Sequence, residues 1–168
     1  MPSSVRVTQA KQGPLLTLHE QGGLQMAHIS VFDKTEQKTM HWIKSISANM
    51  GSTDMQRSYT ILRAVLHATR DRLRTEEAAQ FGAQLPMLIR GFYYEGWDPH
   101  DKPKKYRHKA QFLEEIHKRV PTLDQTQLER AATAVFETLE SEMPGGELEQ
   151  VRHTFPEELR ELWPIPGM

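Results

Sequence analysis

An all-α fold is what this 168-residue sequence predicts, on three observations. Apolar residues recur at three- and four-residue intervals, and no stretch alternates with period two for long. A capping acid, a glycine or a proline bounds each periodic run. The pattern also occurs twice, the second half following the first at an offset of seventy residues with no gap. Together these predict two tandem homologous four-helix units (long, long, short, short) packed into one bundle-like domain. The units span residues 31–97 and 110–166, with a flexible tail at 1–30 and a basic linker at 98–109.

The elements follow in order. "MPSSVRVTQAKQGPLLTLHEQGG" is polar, without a sustained period, and reads as a tail. Met26, just before the patterned region, is a candidate start of the native protein. Asp33 and Glu36 have capping-box spacing, so the first helix is expected to open there. It carries Met40, Ile43, Ile46 and Met50 on one side and stops at Gly51, a natural C′ residue. Asp54 caps a second long helix with Ile61, Leu62, Val65, Leu66, Thr69 and Leu73 on its apolar face. Thr75, Glu76 and Glu77 open a short third, acids at its positive end. Pro86 is expected at the first position of a short fourth, "PMLIRGFYY". Gly96, Pro99 and Pro103 punctuate the linker.

The second half reads the same way. "KAQFLEEIHKRV" is a helix ended by Pro121, and Asp124 caps another long one running from Leu128 to Met143. "PGG" at 144–146 is expected as a turn and "ELEQVRH" as a short helix. Pro156 opens "PEELRELW", which Pro164 and Pro166 end. At the offset of seventy, Trp42 falls on Phe112, Ile43 on Leu113, Ile46 on Ile116 and Asp54 on Asp124. Leu85-Pro86 falls on Phe155-Pro156, and Ile89-Arg90 on Leu159-Arg160. A unit this small buries little surface alone, so two copies sharing a core about a pseudo-two-fold axis are expected.

The stretches "VFDKTEQKTMHWIKSI", "LRAVLHATRDRLRTEEAAQFGAQLPMLIRGFYYEGW", "KPKKYRHKAQFLEEI" and "FPEELRELW" resemble the bacterial domain-of-unknown-function family numbered 2267. The resemblance runs from Val31 to Trp163 and leaves residues 1–30 outside. It implies a duplicated all-helical fold and a bacterial setting, in small proteins sometimes linked with stress-related genes. It carries no catalytic residues with it.

Composition narrows the function classes. A formal net charge of −1 provides no whole-protein attraction to nucleic acid or to an acidic membrane surface. The absence of cysteine excludes disulfides, thiolate metal sites and cysteine nucleophiles, and fits a cytoplasmic protein. No apolar run reaches the length of a membrane span. Phosphate-loop, dinucleotide-loop, zincin and nucleophile-elbow motifs are missing. Glu114 and His117 make one E-x-x-H pair on a helix, but Lys44 and Ser47 stand at the equivalent positions. No symmetric metal site, and no cofactor, is therefore expected.

Two features remain. "KPKKYRHK" clusters Lys102, Lys104, Lys105, Arg107 and Lys109 around Tyr106, cations and an aromatic that suit phosphates or a stacked base. "AQLPMLIRGFYYEGW" at 83–97 crowds aromatics, of which Tyr94 and Trp97 lack apolar counterparts at Pro164 and Gly167. These residues are the candidate partner-binding set. Asp54, Asp124, Pro86 and Pro156 are read as structural. So are Arg90 and Arg160, each placed to cap carbonyls or to pair with Glu77 and Glu147. The expected function is a non-enzymatic helical interaction or scaffold module, self-associating or bound to another protein. The alternatives are a nucleic-acid or phosphate-ligand binder using 102–109, and a metal-dependent helical-bundle enzyme around Glu114 and His117.

Overall fold

The computed structural model describes residues 29–143 and 145–164. The expected tail through residue 28, the candidate start at Met26, and Pro166 lie outside the described residues. The elements are α1 (Ser30–Asn49), α2 (Met55–Arg72), α3 (Thr75–Gln84), α4 (Met87–Tyr94), a 3₁₀ turn (Pro99–Asp101), α5 (Lys109–His117), α6 (Gln125–Glu142), α7 (Gly145–Thr154) and α8 (Glu157–Arg160). Among the described residues there is no strand.

Local chemistry explains most of the ends. Asp54 accepts from the Arg57 amide at 2.9 Å, and Asp124 from the Gln127 amide at 2.9 Å while Gln127 Oε1 accepts from the Asp124 amide at 3.0 Å. Gly51 follows α1 at φ 63°, the left-handed conformation that lets the chain reverse into α2. Arg90 Nη2 donates to Ala83 O and Leu85 O, both at 3.0 Å, so it caps the end of α3. Glu77 instead holds Arg74, at 2.7 Å. Arg160 makes no such bond to a described residue, and the side chain of Glu147 is not described.

Four expectations shift. α1 opens at Ser30 after an extended Ile29, so Asp33 lies inside the first turn and does not cap it. Met40 is exposed; the buried face runs through Thr39, Trp42, Ile43, Ile46 and Ser47, one step round the helix. Pro86 takes the N-cap position, with α4 beginning at Met87. Gly145 and Gly146 are not a turn but the first residues of α7. The first-turn N–H groups of a helix need no intrahelical acceptor, and burial of Leu148 and Val151 further along outweighs the low helix propensity of glycine.

Packing joins the two halves throughout. α1 lies against α2 and also against α6; α2 lies against α5 and crosses α6; α3 meets α7. α2 is the central helix, with Ser58, Ile61, Leu62 and every residue from Ala64 to Asp71 buried. The core is continuous from Trp42 and Leu66 to an aromatic cluster. There Phe136 stacks on Trp163 at 4.1 Å between centroids, and Phe155 meets both edge-on.

Candidate functional site

The basic linker folds down as a strap. The Lys104 amide donates to Asp71 O at 2.7 Å, tying the strap to the end of α2. Tyr106, expected as a stacking platform, is instead buried against Phe112, and burial raises its phenol pKa. Its ring is a core residue because the strap crosses apolar surface between α2 and α5. Most of the cations are neutralised. Lys102 has its side chain buried and pairs with Asp101. Lys104 lies 3.7 Å from Glu115, and Lys109 lies 3.4 Å from both Glu129 and Glu161. His108 Nδ1 faces Glu158 at 3.1 Å. Lys105 and Arg107 remain exposed, with no carboxylate within 4 Å among the described residues. Glu114 is exposed and His117 half-buried, and among the described residues no group of three or more metal-binding side chains assembles.

The 83–97 stretch divides by face. Leu85, Ile89 and Tyr93 are core, and the Tyr93 hydroxyl donates to Ala78 O at 2.8 Å. Tyr94 and Trp97 are half-buried and lie against each other at 5.4 Å. Tyr93 and Tyr94 press on α3 at Gly82, where a Cβ would stand 2.9 Å from Tyr93 Cε1. Met87 and Leu88 point outward, 53% and 45% exposed. The exposed apolar residues of the stretch are thus at its start, not at its end as expected.

A buried polar cluster on α2, unnoticed in the sequence, holds α4 in this position. His67 Nε2 donates to Phe92 O at 2.6 Å, an acceptor that fixes the proton on that nitrogen. Arg70 Nη1 donates to Tyr93 O at 2.5 Å and to Glu95 O at 3.1 Å. The Trp97 amide donates to Tyr94 O at 3.1 Å, so the last three carbonyls of α4 are satisfied. Arg70 Nε is balanced by Asp71 at 2.8 Å, and Arg119, just past the end of α5, approaches the same carboxylate at 3.9 Å. Gly96 then turns away at φ 65°. The only hint in the sequence was the small pair Ala64 and Ala68, which lets α2 be enclosed on nearly all sides.

Burial depresses the His67 pKa below 6.5; the Phe92 carbonyl opposes this, and Arg70, Arg119 and Arg63 add to it. The unfolded chain therefore binds a proton more readily than the folded one. The resulting stability is complete above pH 6.5 and is lost as pH falls from 6.5 through the folded value, by at most about 1.4 kcal/mol per unit. Melting temperatures measured from pH 8 to pH 5 should fall more steeply for the native chain than for His67→Gln, whose amide keeps a donor for Phe92 O. Parallel curves would exclude His67 as the source.

The exposed face lies at the opposite side of α4. The Leu88 amide donates to Thr35 Oγ1 at 3.1 Å, which joins the first turn of α4 to the start of α1. Ile29, Val31 and Phe32 are exposed there, Phe32 by 57%. A shallow groove of about 430 Å³ continues this surface between Tyr59, Leu88, Gly91 and Tyr94. Arg63 and Glu95 form an ion pair at its edge. Five large apolar side chains on the linked ends of α1 and α4 are thus left to solvent.

Residues 39–162 match the family described as "Uncharacterized conserved protein (DUF2267)". No curated protein matches the chain significantly.

Proposed function

Because the chain belongs to the DUF2267 family of uncharacterized conserved proteins, we propose a function from its own surface: a non-enzymatic interaction module that self-associates through the apolar face of α1 and α4. The fold is read as a tandem duplication about a pseudo-two-fold axis. In its support, α2 contacts α6 and α3 contacts α7, as equivalent helices close to such an axis do, and α1–α6 is matched by α2–α5. A bacterial, cytoplasmic setting goes with this reading. It rests on the resemblance and the lack of cysteine; no described helix is long and apolar enough to cross a membrane.

One observation carries the proposal. At the offset of seventy, the exposed residues Val31, Phe32, Met87 and Leu88 correspond to Asp101, Lys102, Glu157 and Glu158. Tyr59 and Gly91 of the groove correspond to Glu129 and Glu161. The second copy covers this position with the strap and its ion pairs, whereas the first leaves it apolar and open. Packing within the fold does not require Met87 and Leu88 to be apolar, since glutamates serve at the equivalent positions. A second copy of the chain is the favoured occupant. The rim carries both signs of charge, Asp33 and Glu36 beside Lys34 and Lys38, and an isologous contact pairs such a rim with itself.

Sedimentation equilibrium should show dimers of the full chain, and Phe32→Asp with Leu88→Glu should give monomers of unchanged helicity. A native chain that stays monomeric at the highest soluble concentration overturns self-association, and a dimer that survives both substitutions overturns the surface.

A further inference from the structure

We propose that the cleft between the α1–α2 turn and α6 binds a small phosphorylated molecule, with Arg57 and Arg130 gripping its phosphate. The cleft encloses about 440 Å³ and is lined by Gly51, Thr53, Arg57, Gln127 and Arg130 among others. That volume suits a small ligand. Two guanidinium groups share it, and neither has a carboxylate within 4 Å among the described residues. Lys102, Lys104, Lys109, Lys118, Arg63, Arg70 and Arg74, by contrast, each face an acid. An anion placed between the two guanidinium groups interacts favourably with both.

The nearby polar groups leave some donors free for a ligand. Asp54 accepts from the backbone amide of Arg57. Gln127 Oε1 accepts from the Asp124 amide, which leaves its NH₂ to donate. Glu129, beside Arg130 in the chain, faces Lys109. Arg57 Nε is buried and has no hydrogen-bond acceptor, so the guanidinium is not held by a protein group at that nitrogen. Gly51 borders the same cleft: a Cβ there would stand 3.2 Å from Arg130 Nη2, a close contact with the arginine tip. Forked donors from two arginines, with the Thr53 hydroxyl and the Gln127 amide, approach from several sides. That arrangement suits the tetrahedral oxygens of phosphate better than a planar carboxylate.

Isothermal titration of the full chain with pyrophosphate tests this, with inorganic phosphate and citrate as parallel probes. Pyrophosphate should bind, phosphate more weakly, and the affinity should fall with added salt. Arg57→Gln and Arg130→Gln should each weaken pyrophosphate at least tenfold, with circular dichroism showing the fold intact. Thr53→Val, a milder change at the exposed rim, should weaken it to a lesser degree. Lys105→Gln with Arg107→Gln should leave it unchanged. No heat from pyrophosphate at millimolar concentration overturns the proposal. So does binding that survives both arginine substitutions, or that is lost with Lys105 and Arg107 instead. Citrate binding without pyrophosphate binding overturns the phosphate assignment.

Discussion

Arg70→Ala is expected to lower the free energy of unfolding by about 3–5 kcal/mol, the cost of breaking a buried ion pair from one side. Arg70 and Asp71 are 2% and 3% exposed, so removal of the guanidinium leaves a carboxylate with little water to solvate it. Arg119 at 3.9 Å is too distant and too exposed to replace it fully. Tyr93 O and Glu95 O lose their donor at the same time, at the negative end of α4. Chemical denaturation of the native chain and of Arg70→Ala, Asp71→Asn and the double variant separates these effects. Most of the cost of Arg70→Ala should disappear in the Asp71→Asn background, except the part owed to the two carbonyls. A loss below about 1 kcal/mol for Arg70→Ala would mean that the cluster does not pin α4.

Phe136→Ala is expected to cost about 3–5 kcal/mol through the cavity it leaves. Phe136 is fully buried and touches Phe112, Phe155 and Trp163, so three other rings lose their partner together. Such rings are too rigid to close the space by changing rotamer. Because α6 lies against both α1 and α2, the loss should appear as destabilisation of the whole chain in one transition, not as melting of its C-terminal half. Two separated transitions would show that the halves fold independently. Phe136→Leu, which retains much of the volume, should recover a large part of the stability.

The fold was legible in the sequence wherever the signal is local. Asp54 and Asp124 announce their helices because a cap needs only a side chain and an amide three residues on. Gly51 was readable because the left-handed conformation selects the residue itself. Signals that depend on what lies across the gap were weaker. Met40 and Thr39 are neighbours on α1, and only the direction of α2 and α6 decides which of them is covered. The glycines after Pro144 carried a turn signal that the burial of Leu148 and Val151 overrode.

The candidate site was less legible still. "KPKKYRHK" stands out because its charges are adjacent in sequence, yet apart from Asp101 the acids that pair with it, Glu115, Glu129, Glu158 and Glu161, lie on or beside α5, α6 and α8. His67, Arg70 and Asp71 were passed over because a polar run in a long helix ordinarily faces solvent. Nothing in "PMLIRGFYY" marks Met87 and Leu88 as exposed, because apolar residues are usually core.

By itself, the sequence determined that this chain is helical, where most helices begin and end, and the kinship with a family. Caps, turns and periodicity act within a few residues, and the chain writes them in order. The tertiary structure alone decided which charges are neutralised, that Tyr106 is inside and Met87 outside, and that Arg57 and Arg130 share a cleft. Those outcomes depend on burial and on Coulomb energy between residues tens of positions apart, and neither has a value until the helices are packed.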